Sequence, residues 1–536
     1  SLILMMLDKG KWTTYRLPKA SHSYDGAHGW NTEWPRIRDI GEPDLLMTMH
    51  GTFWRFPRTF ATGSTAGIRP RSTYLKVIGD FCRWSDRIVL GCDDSAKSEF
   101  LNKHELVGRV TGPGQSQSNL WFLKPEQLDH LGPPLGRGAV WLHEDVQAQT
   151  TSDPYLFSGY DIRGLHLSHQ GNSEARFELE IDVKGDGHWT PLAAITVPAE
   201  STIWTEFRPE QQGAWIRLRA TTDTTAATAF FHYRARDLRQ SAEPIITAGL
   251  ADPATPAASQ GILHARGGGF KTLRHVLEDG TVYDLDADLH LKHVVDPAGS
   301  AWTTANAAIP APIITTDSAS VVYKDSSGHT WRLPSSPDMA GPLEPARVCR
   351  EVCTERNLLN VAGTFYEMPA ANAGGFRMIR PITTHHLRIH DYAGYRGLLV
   401  MSGVTADAAG PHIIRSEDGK AALWAGTVDD LWKFGKPRGQ VRPWHQTAAK
   451  AGQPSDPCLA TGYDRKKLTL THQSPEAITI HIQADSSGTG HWTTHHTLRA
   501  AAGSPTEYTF PESFGACWLR LVSESDTTVT AAFIYE

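Results

Sequence analysis

Apolar and polar residues alternate with a period of two in short runs along almost the whole chain, and Gly, Asp, Asn and Pro separate the runs. KWTTYRL (11–17), RIRDI (36–40), LLMTMHG (45–51) and TFWRF (52–56) form one set of four. TYLKVIGDF (73–81), FCRW (81–84), RIVLGCDD (87–94) and NLWFL (119–123) form a second. RGLHLSHQ, ARFELEIDV and HWTPLAAITV make much of a third set, and TIWTEF, AWIRLRA and TAFFHYR much of a fourth. Period two puts successive side chains on opposite faces, so these runs predict β-strands joined by tight turns. Helical periodicity is weak throughout, and the chain is read as all-β.

The runs recur. YRLP (15–18) returns as WRLP (331–334), GTFWRFP (51–57) as GTFYEMP (363–369), and IRPRSTYLKVIGDF (68–81) as IRPITTHHLRIHDY (379–392). SDPYLFSGYD (152–161) returns as SDPCLATGYD (455–464), LHLSH (165–169) as LTLTH (468–472), GDGHW (185–189) as GTGHW (488–492), and AWIRL (214–218) as CWLRL (517–521). Colinear matches of this number mark a tandem duplication of a unit of roughly 240 residues. Four antiparallel strands in about 45 to 55 residues is the size of a propeller blade. The expected fold is therefore one closed β-propeller of seven or eight blades, because radial repetition leaves few unpaired edges. In this reading 1–237 is the first half ring, the Ala- and Pro-rich 238–261 a connector, and 262–536 the second half ring. The alternative keeps a propeller but makes 152–236 and 455–536 two β-sandwich modules.

One repeat can be read against the other. Shared Gly-Thr-Phe, Ser-Asp-Pro, Gly-Tyr-Asp and Gly-x-Gly-His-Trp are turn and core residues, so they report framework. The difference between equivalent positions falls from 316 (Pro18/Pro334) to 312 (Gly51/Gly363), so the first repeat holds four extra residues there. It falls again from 311 (Asp80/Asp391) to 303 (Leu120/Leu423), which gives eight more. These longer loops carry His28, Trp30, Asn31, Glu33 and Trp34, then Asp93, Asp94, Lys97, Glu99, Gln115, Gln117 and Asn119. His50 faces Ala362 and Tyr74 faces His385. The first repeat is thus the expected site of chemistry, at a mouth where loops of adjacent blades converge.

Composition narrows the partners. Hydrophobic content of 40% with 21% charged residues is ordinary for a globular chain, and no apolar run of about 18 residues predicts membrane insertion. The opening SLILMML is short for a signal sequence and lacks a basic start. A net charge of −6 without a basic block argues against nucleic acid, which needs clustered Lys and Arg. The six cysteines have no regular spacing and are read mostly as buried thiols. No cofactor is predicted, although a structural metal ion is compatible with the residues present, and the oligomeric state is left open.

Blade-length repetition, aromatic strands and polar segments such as GWNTEWPRIRD (29–39) and GQSQSNLWF (114–122) resemble the carbohydrate-active β-propeller proteins, which include glycoside hydrolases and polysaccharide lyases. The resemblance implies a polysaccharide or oligosaccharide, plant or algal, gripped by Trp30 and Trp34 and read by Asn31, Arg69, Lys97, Gln115, Gln117 and Asn119. It favours an exported protein over a cytoplasmic one. A glycoside hydrolase would use Glu33 with Asp93, Asp94 or Glu99, since one acid protonates the leaving oxygen while the other activates water or attacks. A lyase would use His28, His50 or Tyr74 as base or acid, with Arg69 or Lys97 neutralising a uronate. A glycan-binding propeller without turnover is the third reading.

Overall fold

Period-two alternation becomes strands almost wherever it occurs, and the strands pair into eight sheets among the described residues. The computed structural model describes residues 1–21, 35–95, 116–266, 271–311, 314–336, 345–353, 356–369 and 371–536.

Two pairs of sheets are larger and cross-connected. In the first repeat, Leu2–Asp8, Lys11–Leu17, Tyr155–Leu156, Trp215–Ala220, Ala175–Asp182 and Trp189–Val197 form one sheet in that spatial order. Leu135–Val146, Thr224–Arg234, Ile162–Ser168 and Thr202–Phe207 form the other. Phe177, Trp215 and Leu218 from one sheet and Leu165, Leu167 and Phe231 from the other belong to a single buried cluster, so the sheets lie face to face as a sandwich. The second repeat builds the same pair: Gly439–Ala449, Thr527–Tyr535, Lys466–His472 and Thr506–Thr509 stand in the same order as their first-repeat equivalents.

Segments 152–236 and 455–536 therefore lie in two-layer sandwiches, and the expectation of one ring of seven or eight consecutive blades is corrected for them. Thr224–Arg234 pairs with both Leu135–Val146 and Ile162–Ser168, joining strands far apart in the chain. Ala175–Asp182 alternates buried and exposed positions, as a strand with one core face must.

The other four sheets divide into five antiparallel units. They span 36–73, 78–123, 261–294, 349–384 and 392–426. Cys349–Cys353, Thr364–Pro369 and Arg380–Thr384 are buried at every position, because neighbours cover both faces. The 349–384 and 78–123 sheets join edge to edge where Cys353 pairs with Asp94.

The duplicated phrases have local explanations. His50-Gly51 (φ 47° and 78°) and Ala362-Gly363 (φ 48° and 78°) are the two central residues of identical left-handed hairpin turns. In Gly-x-Gly-His-Trp, Asp182 accepts from the backbone N–H of Gly185 (2.8 Å) and Gly187 (2.8 Å). Asp485 does the same for Gly488 (2.8 Å) and Gly490 (2.8 Å). The Trp that follows stacks under an arginine: Trp189 under Arg217 (4.2 Å) and Trp492 under Arg520 (4.3 Å). All six cysteines are free thiols, and all but Cys82 are buried.

Candidate functional site

Of the residues singled out in the first repeat, His28, Trp30, Asn31, Glu33, Trp34, Lys97, Glu99 and Gln115 lie outside the described residues. Gln117 is described through its backbone, opposite Asp94. The remaining groups lie at separate places in the first repeat. His50 is buried in its turn, and burial pushes its imidazole down to about 2, so it is neutral. Tyr74 is fully buried and packs on Phe53 at 4.5 Å between ring centroids. Tyr74 N donates to the carbonyl of Gly51, the residue after His50 in the turn, at 2.9 Å. Asp94 accepts from Lys76 Nζ (2.8 Å) and Asn119 Nδ2 (2.8 Å). Asp93 is half-buried, its backbone N–H bonded to Val77 O at 3.0 Å, and Arg69 is exposed on its strand.

Convergence occurs elsewhere, in a cleft of about 90 Å³ where both sandwiches meet the sheets of the second repeat. The first sandwich contributes Arg137, Tyr233 and Arg234; the second contributes Asp464, Lys466 and Phe514; strand Arg380–Thr384 contributes Arg380, and the short helix Val428–Phe434 contributes Trp432. Five cations line it (Arg137, Arg234, Arg239, Arg380, Lys466) against two carboxylates, Asp237 and Asp464. Those carboxylates are committed: Asp237 holds Arg239 at 2.7 and 2.9 Å, and Asp464 holds Arg234.

Three of the cations are unusual. Arg380 is buried, its Nε donates to Glu367, and its guanidinium stands 5.9 Å from the Trp432 ring. Its Nη1 and Nη2 have no acceptor among the described residues. A buried guanidinium is costly unless its fork finds an acceptor, and the fork matches a carboxylate or phosphate. Arg137 Nη1 donates to neutral groups, Thr461 Oγ1 at 3.2 Å and Cys517 Sγ at 2.9 Å. Lys466 donates to the carbonyls of Tyr463 (2.7 Å) and Phe514 (3.3 Å), and burial, helped by nearby Arg234, pushes its ammonium down to about 7.

The duplication contained part of this signal. Arg380 is the equivalent of Arg69, which the sequence had put forward to meet a carboxylate; the exposed copy is in the first repeat and the buried one in the second. Lys466 is the equivalent of Arg163, which donates to the carbonyl of Gln211 (2.9 Å) as Lys466 does to that of Phe514. Arg137 has Gln440 at its equivalent position and stands out only once the sandwiches are packed.

No family model matches the chain, and no curated protein matches it by sequence. Solved structures similar to it include the PBSX exported protein XepA, at 7% identity over 77% of this chain and 90% of that one, with a TM-score of 0.15. PirA matches 19% of this chain and 92% of its own at 13% identity and a TM-score of 0.12. A Bombyx mori GH32 β-fructofuranosidase is 9% identical over 97% of this chain and 93% of its own, with a TM-score of 0.11.

Proposed function

We propose that this protein takes the acidic end of a glycan into the cleft between its two repeats, and that the five antiparallel units are propeller blades flanked by the sandwiches. The observation that carries the reading is the buried Arg380 fork without an acceptor among the described residues, in a cleft with more cations than carboxylates. A uronate carboxylate bound by Arg380 would satisfy both terminal nitrogens once the fork, closed to solvent in the free chain, turns to the cleft, whose wall includes the buried rings of Trp432 and Phe514.

Lys466 favours β-elimination over hydrolysis as the chemistry. A lyase needs a cation on the uronate carboxylate and a base for the adjacent C5–H, whose electron pair forms the C4–C5 double bond and expels the sugar on O4; an amine titrating near 7 is available as that base at neutral pH, and its ammonium returns the proton to the leaving oxygen. Hydrolysis needs two carboxylates free to exchange protons, whereas Asp237 and Asp464 are held by arginines. A hydrolytic site in the first-repeat loops would draw on Glu33 and Glu99.

Titration calorimetry with glucuronate- and galacturonate-ended oligosaccharides tests the binding, with neutral oligosaccharides, citrate and phosphate as separate arms. Uronate-ended chains should bind and neutral ones should not. Equal affinity for citrate or phosphate would assign the cleft to small anions rather than glycans. Growth of unsaturated-uronate absorbance, without reducing ends lacking that chromophore, would mark elimination.

A further inference from the structure

The sheet of Ile78–Trp84, Arg87–Ser95 and Ser116–Leu123 buries one face and bares the other. Phe81, Ile88, Leu90, Trp121 and Leu123 point into a core cluster. The pairings Cys82↔Val89↔Phe122 and Trp84↔Arg87 put the alternate residues on the opposite face, with Leu120 beside them across from Gly91. There Trp84 is 70%, Leu120 63% and Phe122 46% exposed.

The second repeat shows the same face occupied. Its equivalent row is Ala393↔Val400↔Ala425, with Tyr395↔Leu398 for Trp84↔Arg87 and Leu423 for Leu120. Tyr395 and Leu423 are 0% exposed. They are covered by the 261–294 sheet, whose Leu263, Leu273, Tyr283 and Leu285 share their cluster. No described element covers the first-repeat face in this way. The internal copy thus identifies what such a face accepts: another antiparallel sheet presenting aliphatic and aromatic side chains.

We infer that two copies of this chain pair through their 78–123 sheets, burying Trp84, Phe122 and Leu120 of each against the other across a two-fold axis. A second copy supplies a sheet of matching twist with apolar residues at its centre. The rim is charge self-complementary. Asp80 is held by Arg38 (2.7 Å twice) with Arg36 beside it, and Asp86 adjoins Arg87 at the other end. A two-fold axis sets each face against its own image, so a rim carrying both signs can meet itself without net repulsion. A contiguous exposed apolar patch ringed by polar groups is the ordinary mark of such an interface.

Cys82 lies in the centre of this face and is the one exposed thiol of the six, so it reports on the interface directly. The test is the mass of the full chain by sedimentation across a concentration series, with maleimide labelling followed in parallel. The expected result is a mass of twice 59.0 kDa at high concentration, with Cys82 labelling slowed as the dimer forms. Trp84→Ser with Leu120→Ser should give a monomer with restored labelling and the Tm that the parent chain shows when dilute and monomeric, because both side chains are exposed in the single chain. A chain that stays monomeric at every concentration overturns the inference. So does a dimer that survives the double substitution, or one in which Cys82 labels at the monomer rate.

Discussion

The ammonium of Lys76 lies 2.8 Å from Oδ2 of Asp94, both side chains almost wholly buried, and it donates also to the carbonyl of Gly397 in the second repeat at 2.9 Å. The pair ties the 78–123 sheet of the first repeat to the 392–426 sheet of the second. Truncating one member leaves the other charge buried alone, which typically costs about 3–5 kcal/mol. Lys76→Met should lower stability by that order in urea denaturation. Lys76→Met combined with Asp94→Leu should recover much of the loss, because no uncompensated charge remains. A Lys76→Met protein as stable as the parent would show that the pair contributes nothing net.

The His50-Gly51 turn predicts a pair of contrasting outcomes. Asn tolerates a left-handed conformation better than His, so His50→Asn should keep or raise Tm. Gly51→Ala places a methyl at φ 78° and 2.8 Å from Ser21 Oγ, and should cost about 1–2 kcal/mol. Neither change should alter uronate binding, since neither position lines the cleft.

Acid should loosen the seam between the sandwiches. His166 Nε2 bonds to the carbonyl of Gly515 at 2.6 Å, and burial pushes its imidazole down to about 4; His495, whose ring lies against Phe514 beneath it, falls to about 3. Both rings are neutral when folded but protonate near their ordinary value, 6.5, when unfolded. Between pH 6.5 and 4 the unfolded chain therefore binds more protons, and stability falls as pH falls. His166→Gln should flatten that slope by an amount on the order of 1.4 kcal/mol per pH unit. An unchanged slope would assign the acid sensitivity elsewhere.

Lys466 predicts the opposite end of the pH range. Its ammonium is disfavoured in the fold, at about 7 against the ordinary 10.5. The unfolded chain binds the extra proton between these values, so stability should rise with pH from 7 towards 10. Lys466→Met should remove this rise and abolish elimination while leaving uronate affinity, carried by Arg380, largely intact. Retained elimination in that variant would exclude Lys466 as the base.

The alternation of apolar and polar positions was enough to read an all-β chain and its strand positions, because period-two burial and left-handed turn glycines are written locally. Gly-Thr-Phe and Gly-x-Gly-His-Trp could be assigned to framework for the same reason: each closes its own turn or cap within a few residues. Which sheets pair face to face was decided by tertiary structure. Strands 175–182 and 364–369 both read as strands, yet one has a single buried face and the other two, and only the packing of neighbours distinguishes them.

The cleft lay further from reach. Arg137, Arg380 and Lys466 come from a sandwich of the first repeat, a sheet of the second and a sandwich of the second, and no spacing along the chain announces their meeting. Arg69 and Arg380 hold the same place in matching IRP segments, yet one is an exposed strand position and the other a buried fork without an acceptor among the described residues. Trp84 and Tyr395 diverged likewise, because a sheet covers one and leaves the other bare. The sequence determined the two copies of the framework, while their chemical difference is a matter of desolvation, which depends on what the fold stacks against each side chain and not on its neighbours in the chain.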